Sequence, residues 1–223
     1  MSIKNSVLSL AICLLSMSGF TQKKTADKPA TKVEPKEFIN SALFSELSFR
    51  SVGPAITSGR IADLAVNPMN HSEYYVAAAS GGVWKTTNCG ISFNPIFDGE
   101  GSYSIGCLAI DPKNPNVVWV GTGENNNQRS VAYGDGIYKS EDGGKSWKNM
   151  GLKQSEHIGR ISIDPTNPDI VYVAAYGPLW TNGGERGIYK TIDGGANWKQ
   201  VLKISDYTGC NGKASEKEQL LLR

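Results

Sequence analysis

The stretch Ser140-Glu141-Asp142-Gly143-Gly144-Lys145-Ser146-Trp147 decides the fold. It returns as Thr191-Ile192-Asp193-Gly194-Gly195-Ala196-Asn197-Trp198, and an earlier copy reads Thr86-Thr87-Asn88-Cys89-Gly90-Ile91-Ser92-Phe93. The shared pattern is Ser or Thr, a free position, Asp or Asn, a free position, Gly, two free positions, then Trp or Phe. The acid or amide stands at 88, 142 and 193, so the copies are 54 and then 51 residues apart. A period near 50 residues, with Gly and an aromatic at fixed places, is the mark of propeller blades.

The rest of each repeat keeps step. Apolar runs at 60–66, 105–110 and 158–163 are each followed by a Pro/Asn-containing turn. Second runs follow at 74–78, 117–121 and 170–174, and third runs at 83–86, 136–139 and 187–190. A fourth strand is expected to begin at the motif aromatic. Short β-branched and aromatic runs bounded by Gly, Pro, Asn and Asp read as strands. Four per repeat make a propeller blade. The expected fold is all-β: three four-stranded blades of an incomplete propeller.

The motif residues have work to do in such a blade. An Asp or Asn side chain in a tight turn accepts hydrogen bonds from backbone N–H groups just ahead of it. The Gly supplies the positive φ of the turn, and the aromatic opens the next strand and packs between blades. This pattern resembles the Asp-box, or BNR repeat, of sialidases, xyloglucan-active glycosidases and the sortilin N-terminal domain, over about residues 50–210. Asn88, Gly90 and Phe93, Asp142, Gly144 and Trp147, and Asp193, Gly195 and Trp198 are accordingly read as structural turn residues. They are not read as catalytic acids or metal ligands. The segments Phe49-Arg50-Ser51-Val52-Gly53-Pro54-Ala55 and Gly121-Thr122-Gly123-Glu124-Asn125-Asn126-Asn127 are similar to large secreted bacterial proteins of the sortilin-like, BNR-repeat group.

Composition narrows the partners. The 23 basic and 21 acidic residues leave a net charge of +2, which offers no electrostatic case for nucleic acid. Residues 1–20 carry one Lys, a short apolar run and small residues, the pattern of a secretory signal peptide. The run is too short for a membrane span of the mature chain, so a secreted, periplasmic or cell-surface location is expected. Residues 21–40 open as a Lys-, Thr-, Pro- and Glu-rich linker, and 41–210 hold the blades. After signal cleavage Cys89, Cys107 and Cys210 remain, an odd count without a C-x-x-C, and His71 and His157 have no metal spacing. No metal and no cofactor are expected.

A fourth repeat starts and breaks off. Tyr207-Thr208-Gly209-Cys210 matches Ser104-Ile105-Gly106-Cys107, but a polar tail, 211–223, follows where an apolar strand is due. Three blades do not close a ring of four to eight. The missing blades are expected from a longer chain or from other subunits.

In a meander, the loops joining second to third strands share a face with the blade-to-blade loops, while the motif turns lie on the other. The second-to-third loops differ in length, which marks the binding face. The candidate ligand contacts there are Glu124, Asn125, Asn127, Gln128, Arg129 and Tyr133 in the second blade. The third blade offers Trp180, Glu185 and Arg186, and Arg60 and Arg160 stand at inner strands near the channel mouth. Such amides, guanidinium groups and aromatics suit sugar hydroxyls, peptide backbone or carboxylates. Glycoside hydrolysis needs two flanking carboxylates. The resemblance to xyloglucan-active enzymes implies one of them in a segment like Thr-Asp-x-Gly-Gly-x-Tyr, which here reads Ala78-Ala79-Ser80-Gly81-Gly82-Val83-Trp84, with Ala79 in the Asp place. The candidate acids Glu124, Asp135 and Glu185 all lie in loops, so no catalytic residue is assigned. The sequence therefore reads as a secreted binding or scaffold module for a peptide, protein or glycan. The alternative is the N-terminal part of a glycoside hydrolase whose carboxylate pair this chain does not complete.

Overall fold

A computed structural model describes residues 59–125 and 131–212, all within the compact unit Phe49–Arg223. The proposed signal segment, the linker, the polar stretch from 213 onward and the loop residues Asn127, Gln128 and Arg129 lie outside the described residues.

The described residues form three four-stranded antiparallel sheets with no α-helix. The first holds β1 (Ile61–Val66), β2 (Tyr74–Ala78), β3 (Gly82–Thr86) and β4 (Asn94–Pro95) in that order. The second holds β5 (Ile105–Ile110), β6 (Val118–Thr122), β7 (Ile137–Ser140) and β8 (Lys148–Gly151). The third holds β9 (Ile158–Ile163), β10 (Val171–Ala175), β11 (Gly187–Thr191) and β12 (Lys199–Leu202). Each is a meander, and each is one blade of a β-propeller. The register repeats as well: Ile61 faces Ala78, Ile105 faces Thr122 and Ile158 faces Ala175. At that same end every first pair slips its register, a bulge that turns the backbone into the loop beyond.

The fourth strands begin one residue after the motif aromatic, at Asn94, Lys148 and Lys199. The physical reason is visible at Trp147 and Trp198. Their indole N–H groups donate to Ile96 O (2.7 Å) and Met150 O (2.8 Å) of the preceding blade, so the aromatic belongs to the junction before the ladder starts.

The turns themselves are held by one repeated network. Ser140 Oγ donates to Asp142 Oδ1 at 2.8 Å and accepts from Gly144 N at 2.8 Å, while Asp142 Oδ1 also accepts from Lys145 N and Ser146 N, both at 2.9 Å. Thr191 and Asp193 repeat it with Gly195 N (3.0 Å) and Asn197 N (2.9 Å), and Thr86 and Asn88 with Gly90 N (2.9 Å) and Ser92 N (3.0 Å). The Ser146 hydroxyl, which donates to Asp142 Oδ2 at 2.6 Å, holds the Asp142 carboxyl well below the usual range together with these donors, and the Thr191 hydroxyl with the Asn197 amide brings Asp193 down to about 2. Gly144 sits at φ 90°, and a Cβ there would lie 2.7 Å from Ile96 Cδ1 of the first blade. Only Gly allows both the left-handed backbone and the close approach.

The core lies between blades rather than within them. Tyr75, Val83, Phe97, Ile105, Leu108 and Val120 are buried where the first sheet meets the second. Trp119, Ile137, Ile158, Ile161 and Val173 are buried where the second meets the third. Each such side chain contributes about 1.5–3 kcal/mol over leaving it exposed. A lysine closes each junction: Lys85 Nζ donates to Gly143 O at 3.1 Å, and Lys139 Nζ to Gly194 O at 3.4 Å.

Candidate functional site

Because alternate connections of a meander lie at one end, the β2–β3, β6–β7 and β10–β11 loops share a face with the blade-to-blade segments. That loop face gathers most of the candidate ligand contacts. Its centre is the segment after β6. Gly123, at φ 86°, turns the chain sharply, and its N–H donates to Ser104 O at 2.7 Å. Glu124 N then donates to Ser104 Oγ at 2.9 Å, and Glu124 O accepts from His157 Nδ1 at 2.8 Å. The Glu124 side chain is buried, 1% exposed, and its Oε1 forms an ion pair with Arg60 Nη2, whose own side chain stays 40% exposed. Burying a carboxylate is costly unless it is paired, and Arg60, just ahead of β1, is that partner. Asn125 Nδ2 donates to both Gly106 O (3.1 Å) and Gly159 O (3.0 Å), joining the starts of β5 and β9. Glu124 and Asn125 thus tie three blades together at the face where the inner strands begin.

His157 sits beneath this knot, 2% exposed, and burial lowers its pKa from 6.5 to about 4. A carbonyl only accepts, so Nδ1 carries the proton and the ring is neutral at ordinary pH. Asp63 of β1 also spans the junction of the first two blades: its Oδ2 accepts from Leu108 N at 2.9 Å. Arg160 stands exposed on β9 at the position that Asp63 and Cys107 occupy in the other blades.

The three candidate acids of this face, Glu124, Asp135 and Glu185, are engaged within the fold. Asp135 Oδ2 accepts from Tyr138 Oη at 2.5 Å, and Asp135 N donates to Thr122 Oγ1 at 2.9 Å. Burial, and behind it the hydrogen bond to Asp135, raises the Tyr138 pKa, while burial and the Asp135 charge raise that of Glu100 in the segment between β4 and β5. Glu185 Oε2 accepts from Gln154 N at 2.8 Å, in the short turn Lys153–Ser155. Ala79 is 1% exposed, and its N–H donates to Arg60 O at 2.8 Å. A methyl group therefore fills the place where the sequence resemblance looks for an Asp.

The third blade differs. Arg186 is 6% exposed and turned inward: Nε donates to Gly183 O and Nη1 to Tyr176 O, both at 2.8 Å, and Nη2 to Pro178 O and Thr181 O. Its charge organises the loop instead of facing outward. Tyr133 and Trp180 point to solvent, 72% and 81% exposed. Exposed Tyr103 and Tyr207 join them on the same face, at the starts of the second blade and of the broken fourth repeat. Only their place before an inner strand could have marked them in the sequence. Among the described residues no group of three His, Cys, Asp or Glu side chains could hold a metal ion, and no helix is long and apolar enough to cross a membrane.

No protein-family model matches the chain. It is similar to a xyloglucanase of Hypocrea jecorina, 24% identical over 195 residues, covering 78% of this chain and 22% of that protein. It is also similar to a probable oligoxyloglucan-reducing end-specific xyloglucanase of Neosartorya fischeri, 32% identical over 99 residues, covering 42% of this chain and 10% of the relative. The chain thus spans about a fifth and a tenth of the lengths of these curated relatives. Among solved structures it is similar in fold to an ancestral GH74 enzyme, with a TM-score of 0.53 and 24% identity over 67% of this chain and 19% of that one. The solved structure bears on the fold alone, and the two curated similarities favour the glycoside hydrolase alternative over a free-standing binding module.

Proposed function

We propose that this chain is a portion of a propeller-type glycoside hydrolase acting on a xyloglucan-like β-glucan, and that its role is to hold the polysaccharide on the loop face. The observation that carries this reading is the similarity to the two xyloglucanases over 195 and 99 residues. The chemistry of the face is in keeping with it. Exposed Tyr133 and Trp180 offer apolar ring faces, and Asn182 and Thr181 offer uncharged polar groups beside Trp180. The pair Arg60–Glu124 and the crosslink from Asn125 hold the inner strand ends in place beneath them. Asn127, Gln128 and Arg129 of the same loop are further candidates for hydroxyl contacts. The likeness of the turns to Asp-boxes and of residues 1–20 to an export signal fits a protein that meets polysaccharide outside the cytoplasm.

Hydrolysis would need a second partner. Glu124 is ion-paired, Asp135 and Glu185 are hydrogen-bonded within the fold, and position 79 is Ala. Two free flanking carboxylates are the requirement of the reaction. The test is affinity electrophoresis of the 223-residue protein through gels containing xyloglucan, with a reducing-end assay on the same polymer. Retardation by xyloglucan without release of reducing ends is expected. Mobility unchanged by xyloglucan and by unbranched β-1,4-glucan would overturn the reading. Release of reducing ends would overturn the division of roles and return the carboxylates of this face to candidacy.

A further inference from the structure

The loop between β10 and β11 is built with more internal ties than a solvated connection requires. Arg186 spends its guanidinium on four carbonyls of that one loop. Glu185 fastens one end to the turn at Gln154, and Gly183 N donates to Asp206 O at 2.9 Å, fastening the loop to the segment ahead of the fourth repeat. Yet the tip so held carries Trp180, 81% exposed, with Leu179 43% exposed beside it. Across from it Tyr207, 77% exposed, is fixed by its own turn, in which Ser205 Oγ accepts from Tyr207 N and Thr208 N, both at 3.1 Å. Asn182 Nδ2 reaches Tyr207 Oη at 3.4 Å. Between them lies a hollow of about 600 Å³ lined by Trp180, Thr181, Asn182, Tyr207 and Pro178.

We propose that this hollow is a saccharide subsite, with Trp180 and Tyr207 as the aromatic faces on which a pyranose ring of an uncharged β-glucan rests. Two observations choose the ligand class. First, large rigid aromatics are displayed in water, and a sugar ring presents a C–H face that covers them. Second, the one cation of the lining, Arg186, is 6% exposed and has four of its five N–H donors on carbonyls of its own loop, which makes it a poor partner for a carboxylate or phosphate. The remaining polar groups, the Asn182 amide and the Thr181 hydroxyl, are those that serve hydroxyls. Because the loop is already tied down, ordering it costs little on binding. The subsite rests on the glycan reading above and adds to it the place and the residues.

Isothermal titration of the 223-residue protein with xyloglucan oligosaccharides tests it, using Trp180→Ala and Tyr207→Ala. Both side chains are exposed, so the fold should survive, and far-ultraviolet circular dichroism checks that it does. Each substitution is expected to weaken binding by about tenfold. In the unaltered protein the ligand is also expected to shield indole fluorescence from acrylamide, an effect lost in Trp180→Ala. Binding that both variants retain in full overturns the subsite and leaves the glycan reading standing. Absence of binding in the unaltered protein overturns the glycan reading and the subsite with it.

Discussion

His157 shows how one residue couples the site to stability. In the folded chain its ring is neutral, donates from Nδ1 to Glu124 O, and binds a proton only near pH 4, whereas the unfolded ring binds one near 6.5. Below about 6.5 the unfolded state therefore takes up a proton that the folded state refuses. Stability is complete above that value and falls as the pH drops toward 4. His157→Asn keeps an N–H donor but does not titrate. Urea midpoints at about pH 7 and about pH 5 should separate more in the unaltered protein than in this variant. Equal separations would mean that the ring is not what responds to acid. The sequence marked Glu124 and Arg60 as candidates separately. It could not pair them, since a contact between the start of the first blade and a loop of the second depends on how blades stack. Arg186 makes the same point in reverse. By composition it is a binder, and in the fold its charge is spent on the carbonyls of its own loop.

At the scale of the element, the motif turn and the strand after it act as a hook. Ser140 and Asp142 satisfy the turn, Gly144 lets it approach the first blade, and Trp147 reaches over to Ile96 O. The turn half of this hook is legible in the sequence because all its partners lie within eight residues. The junction half is not, because Ile96 is remote in the chain. Trp147→Phe keeps an aromatic ring of the kind Phe93 provides in the first blade and removes the pyrrole part of the indole with its N–H. The lost hydrogen bond leaves a carbonyl without its donor, and unfolding free energy should fall by about 1–2 kcal/mol. Chemical denaturation measures it, and an unchanged midpoint would show that the indole with its N–H adds no net stability over a phenyl ring.

At the scale of the molecule, the stacked sheets leave an apolar side bare. Ile61, Leu64 and Val66 of β1 are 58%, 55% and 49% exposed, while Ile105, Ile158, Leu108 and Ile161, at the matching places of β5 and β9, are buried against the blade before them. Exposed sheet faces of this kind promote association. Leu64→Lys should reduce the concentration dependence of the mass seen by light scattering, and an unchanged mass would place the association elsewhere. The sequence by itself determined the repeat, the strand runs and the chemistry of each turn, because these rest on contacts between near neighbours and on the φ values that Gly permits. It also placed the loop face, since a meander allows its loops only two ends. Only the tertiary structure decided which charges are spent and which aromatics are free. Glu124 and Arg186 were withdrawn from solvent, and Tyr133, Trp180 and Tyr207 left in it, by packing between segments that lie apart in the chain.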